Sequence, residues 1–115
     1  MLVGGALMLT MPAPAESAAT GFSVADGKRA HVSIPGVRTL PVAVERPAHE
    51  TFYRGARESD EDAIEAAFAM SEWIEVADGQ AVRILAVDGE ASQIELLEGP
   101  YAGRRAWLKT RRLGP

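Results

Sequence analysis

Residues 78–108, DGQAVRILAVDGEASQIELLEGPYAGRRAWL, decide how the chain is read. Two apolar-rich runs, residues 82–87 and 93–97, alternate at the period of a strand and are joined by the turn signal Asp88-Gly89. Gly99, Pro100 and Gly103 then mark a second turn, which feeds a third strand carrying Trp107. Val82, Ile84 and Ala86 share one face, as do Ile94 and Leu96, while Arg83, Gln93 and Glu95 point away. Residues 85–87 are apolar on both faces, and Glu90 and Ala91 are expected to lengthen the first turn beyond two residues. In the third strand Ala106 and Leu108 face inward; Arg105, Trp107 and Lys109 share the outer face. Residues 110–113 read as one tight helical turn. The layout is that of a small, bent antiparallel barrel.

Working backwards, residues 73–76 form a short strand and Asp78-Gly79 the turn that leaves it. Pro47 suits a first helical turn, and Ala48, Phe52 and Ala56 recur at four-residue spacing, which predicts a short helix ending near Arg57. Ser59 is the expected N-cap of a second helix, with Asp60, Glu61 and Asp62 in its first turn and Ile64, Ala67, Phe68 and Ser71 along one stripe. The acids at 58, 60, 61, 62 and 65 lack the alternating ligands, central glycine and distal glutamate of a calcium loop, so they read as capping and solvation. Residues 16–46 hold no sustained period. Prolines 35, 41 and 47 divide them, leaving 31–34 and 42–44 as short extended segments suited to sheet edges.

The chain has 115 residues, 47% apolar and 24% charged, which places it among single globular domains. Its net charge of −4 is unevenly spread. Residues 58–103 carry twelve acids and one base, whereas residues 104–115 carry five bases and no acid. The absence of cysteine excludes disulfides, thiolate metal sites and a cysteine nucleophile. Residues 2–11, LVGGALMLTM, are too short to span a bilayer but match the apolar core of a signal peptide, with Ala13-Pro14-Ala15 as its cleavage site and no preceding Lys or Arg. The expected division is a signal peptide or disordered N-terminus over 1–20, an irregular or extended segment over 21–46, and two short helices plus the barrel over 47–115. A signal peptide would place the protein in the periplasm or cell envelope; without one it would be cytoplasmic.

The runs GQAVRIL (79–85) and IELLEGPYAGRRAWL (94–108), followed by a basic turn to Leu113, resemble bacterial SH3-like domains, whose strands follow G-x-x-V-x-V-L and V-x-V-x-(D/E)-G-P-x-x-G-R-x-G-W-(V/L). The similarity covers residues 73–113. It implies a fold that is mainly β with short helices (α+β), an SH3-like antiparallel barrel preceded by the two helices. Ala106 departs from the family's glycine, and with two residues after Leu113 a strand from 31–44 is expected to complete the sheet. Because 41 residues lie near the lower limit of about 40 for an unassisted domain, Phe52, Ile64, Phe68 and Met70 are expected to plug the barrel's apolar end.

The resemblance further implies a non-catalytic interaction module binding a peptide, a peptidoglycan fragment or a partner protein, with a KOW-like nucleic-acid or ribosome contact as the alternative. The candidate ligand-binding residues are Tyr101, Arg105, Trp107 and Lys109, an aromatic set between cations that suits stacking plus capture of an anion. Nucleic acid is the weaker reading, since the acidic middle opposes a broad phosphate-binding surface. No catalytic constellation, metal spacing or cofactor motif is present: His31 and His49 stand apart from any nucleophile, and Gly21 to Ala25 lack the strand and helix a nucleophile elbow requires.

Overall fold

The computed structural model describes residues 15–16 and 23–115. Strands β1 (Ala15–Glu16) and β2 (Ser23–Val24) pair with each other. Strands β3 (Arg29–Val32), β4 (Thr39–Ala43), β5 (Trp73–Ala77), β6 (Ala81–Asp88), β7 (Ala91–Leu96), β8 (Arg105–Lys109) and β9 (Leu113–Gly114) form one antiparallel sheet in the order β5-β4-β8-β7-β6-β3-β9. Helices α1 (Arg46–Glu58) and α2 (Glu61–Ala69) lie in the chain between β4 and β5, and a 3₁₀ turn (Thr110–Arg112) precedes β9. The expected signal segment falls almost entirely outside the described residues.

The α+β, mainly β class holds, but two expectations are corrected. The sheet is not closed into a barrel: β5 and β9 end the strand order and do not pair with one another. The last strand is two residues long and reaches only β3, so nothing bridges the gap. Nor do the helices precede the sheet, because β3 and β4 come first and both lie inside the strand order rather than at its edges. Curvature is nevertheless forced. β5 and β6 stand four positions apart, about 19 Å in a flat sheet, yet are joined by residues 78–80, whose four Cα steps reach about 14 Å. The connection is pinned to β3, with the Val32 amide donating to the Gln80 carbonyl at 2.9 Å, Gly79 donating to Val32 at 2.7 Å, and the Ile34 amide donating to Asp78 Oδ1 at 2.9 Å.

A β-bulge at Leu85 explains the run that is apolar on both faces. Register slips there, pairing Ile84 with Ile94 but Ala86 with Gln93, so the inward set becomes Val82, Ile84 and Val87. The following hairpin is tighter than expected. Asp88 pairs with Ala91, leaving Gly89 and Glu90 as a two-residue loop with Gly89 at φ 61°, the geometry of a type II′ turn. The 3₁₀ turn holds this loop: the Thr110 hydroxyl donates to the Gly89 carbonyl at 2.8 Å, and the Thr110 amide to the Glu90 carbonyl at 2.8 Å. Thr110 has one hydroxyl proton, so the buried Ser92 hydroxyl, 2.7 Å away, donates to it.

The core is built by the strands themselves, including Val32, Val42, Ile74, Ile84, Ile94 and Leu108, and contains no helical residue. This corrects the expected plug: Phe68 and Met70 are 45% and 46% exposed. The helices cover the sheet's outer face instead. Ala43, fully buried, stands in register between Trp73 and Trp107. Phe52, Phe68 and Trp73 form an edge-on and tilted cluster with centroids 4.8 to 5.6 Å apart, and Trp73 Nε1 donates to the Ala67 carbonyl at 3.2 Å. Ser59 does not cap α2; it ends α1 in the left-handed region (φ 54°), and Asp60 Oδ1 accepts from the Ala63 amide. The two helices meet at Gly55, where a Cβ would lie 3.0 Å from Ala63 Cβ and Ile64 Cγ1, so any larger residue would press α2 away.

Candidate functional site

The alternation in β8 places Arg105, Trp107 and Lys109 on the outer face, as their spacing requires, and α1 lies over that face. Trp107 is half-buried, with the Arg46 guanidinium 5.0 Å from its ring centroid. The Lys109 side chain is 14% exposed, and its Nζ sits 4.5 Å from the centroid of Tyr53. Arg105 is exposed, paired in register with Glu95. Tyr101 belongs elsewhere: from the β7–β8 connection it packs against the inner core. The four residues therefore occupy three environments, and of them Lys109 lines a groove under α1.

That surface is a groove of about 650 Å³ between α1 and the β6–β7 hairpin. One side is α1, contributing His49, Tyr53 and Arg57 at four-residue intervals and Arg46, Glu50 and Arg54 on the neighbouring stripe. Asp88, Glu90 and Ala91 of the hairpin form the other side, and Lys109 closes the base. His49 and Tyr53 were missed by sequence reasoning, which followed the stripe of Ala48, Phe52 and Ala56. The 49/53/57 repeat was visible at the same spacing.

Charge is divided along the groove. At the N-terminal end of α1 Arg46 binds both Glu50 Oε2, at 2.8 Å, and Asp88 Oδ2. Toward the C-terminal end of α1, Lys109 has among the described residues one carboxylate within 4 Å, Glu90 Oε1 at 3.9 Å, and that side chain is 93% exposed. His49 is buried and tilted against Tyr53, ring centroids 4.8 Å apart. Burial, then the charge of Lys109, hold its pKa below the ordinary 6.5; Glu50 and the Trp107 backbone push it back up, and Arg46 lowers it further. Lys109 is likewise depressed, first by burial and then by Arg111, with Glu90 opposing and Arg57 and Arg112 adding to the depression. Burial raises the Tyr53 phenol, against the pull of Arg112 and Arg111. Among the described residues no group of three or more His, Cys, Asp or Glu could hold a metal ion, and no helix is long and apolar enough to cross a membrane.

The His49 shift has a measurable sign. The neutral ring is favoured in the folded state, so its stabilising contribution is complete above the ordinary pKa of 6.5 and is lost as pH falls through the lower folded value. Urea unfolding between pH 8 and pH 5 should show stability declining below pH 6.5, and His49→Gln should flatten that decline even if it lowers stability overall.

No protein-family model, curated protein or solved structure matches the chain.

Proposed function

We propose that the protein is a non-catalytic interaction module of the bacterial cell envelope that holds a peptide, a peptidoglycan fragment or a segment of a partner protein in the groove between α1 and the β6–β7 hairpin. The observation that carries this reading is the groove itself, whose volume of about 650 Å³ lies within the span of about 300 to 1,000 Å³ usual for ligand sites. Its lining combines a half-buried aromatic ring with cations and carboxylates, which supplies contact area together with directed polar groups. The similarity of residues 79–85 and 94–108 to SH3-like domains supports the class of ligand, and the apolar run 2–11 followed by Ala13-Pro14-Ala15 supports export.

Amide chemical-shift mapping of the full chain with a muropeptide, an unrelated short peptide and a single-stranded RNA tests the reading. A muropeptide or peptide should shift Tyr53, Glu90, Ala91 and Lys109. Shifts confined to Arg105, Arg111 and Arg112, produced by RNA and weakening steeply with salt, would favour the nucleic-acid contact instead. Mass measurement of the chain recovered from a bacterial host should show loss of the residues before Glu16; retention in the cytosol would remove the envelope assignment.

A further inference from the structure

Lys109 is an unusual residue to find half under a helix. Its side chain is 86% covered, yet no protein acceptor bonds its ammonium among the described residues. Glu90 lies at 3.9 Å, beyond the 2.7 to 2.9 Å or so of a charge-assisted hydrogen bond, and swings largely in solvent. The ring of Tyr53 offsets part of the desolvation, but a π-face accepts only one direction of approach. No buried side-chain nitrogen or oxygen among the described residues lacks a partner, so the ammonium protons that find no protein acceptor open to solvent in the groove, where a ligand can take water's place.

Its surroundings deepen the deficit of negative charge. Arg57 lines the same end of the groove and has no acidic partner within 4 Å among the described residues. Arg111 and Arg112, on the turn that follows β8, are close enough to act on both Lys109 and Tyr53. The Tyr53 hydroxyl likewise makes no hydrogen bond to protein among the described residues and reaches solvent. Arg46 at the far end differs, being already matched by Glu50 and Asp88. The groove therefore has one neutralised pole and one cationic pole.

Resting on the groove as the binding site, we propose that its ligand is a peptide presenting a single carboxylate, which Lys109 Nζ, the Arg57 guanidinium and the Tyr53 hydroxyl hold at the cationic pole. A lone anionic group fits because the unmatched donors occupy one end only. A polyanion laid along the groove would pass Glu50, Asp88 and Glu90, and like charges so placed oppose it. The remainder of the ligand is uncharged, since it runs beside the neutralised pole, where Arg46 already matches Glu50 and Asp88.

The test titrates the full chain with capped pentapeptides that differ only in a central Glu or Gln, with inorganic phosphate and with a short RNA, following amide shifts, and repeats each titration with Lys109→Met. The Glu peptide should shift Tyr53, Arg57 and Lys109 and bind about tenfold or more tightly than the Gln peptide, and Lys109→Met should bring the two peptides to equal affinity. An unaltered amide spectrum away from β8 checks that the variant is folded. Equal binding of both peptides in the groove overturns the carboxylate and leaves the groove standing. Shifts centred on Phe68 and Trp73 overturn the groove itself. Phosphate competing as well as the peptide, RNA binding in preference to it, or no response at these residues to any probe each overturns the peptide assignment.

Discussion

A fragment consisting of residues 73–115 will not fold on its own. β5 pairs only with β4, through a five-residue ladder, and β9 pairs only with β3. Removing residues 1–72 leaves both strands without a partner and opens one edge each of β6 and β8. The core loses Val24, Ala30, Val32, Ile34 and Val42 together. At about 1.5 to 3 kcal/mol for each large buried side chain, the four larger residues alone account for about 6 to 12 kcal/mol, comparable to the whole stability of a domain this size, about 5 to 15 kcal/mol. Circular dichroism and one-dimensional NMR of the fragment should show no cooperative melting and no dispersed methyl signals. A sharp thermal transition would refute the account of how the sheet is held.

Ile94→Ala should cost about 2 to 5 kcal/mol, the range for emptying a buried branched side chain whose surroundings cannot collapse. Ile94 is fully buried in β7 and pairs in register with Ile84 on one side and Ala106 on the other. Phe68→Ala serves as its counterpart. Phe68 is large, but nearly half its surface already meets water, so its removal should cost markedly less, within the smaller range of partly exposed sites. Urea denaturation of the two variants decides where stability resides. If Phe68→Ala proved the more damaging, the helices would be the core and the strands their cover.

Local signals revealed the strands of residues 73–109, the Asp-Gly hairpin and the two helices, because alternation, turn residues and caps are short-range properties of a chain. Pairing partners were not legible. Pro41 made β4 look like an edge, yet β4 touches β8 at the single pair Ala43 with Trp107, so the missing amide of Pro41 falls where no ladder exists. Toward β5 the hydrogen-bonded partners are the even-numbered residues, in phase with the Val44 amide donating to Glu72, and Pro41 is again spared. The bulge at Leu85 could not be foreseen from alternation, which it interrupts. The site was half legible: Lys109 and the outer face of β8 followed from period two, but that α1 would lie across them, bringing His49, Tyr53 and Arg57 to the same groove, depends on a crossing that no single segment encodes.

Thr110 follows Lys109 directly and bolts the hairpin loop to the end of β8 through its hydroxyl and its amide. The hairpin bank of the groove is thereby fixed to its base, and Arg46 of α1 reaches across to it through Asp88, before any visitor arrives. A guest should find a berth already cut to size, so little entropy is surrendered on docking and the encounter rate should follow diffusion and charge alone.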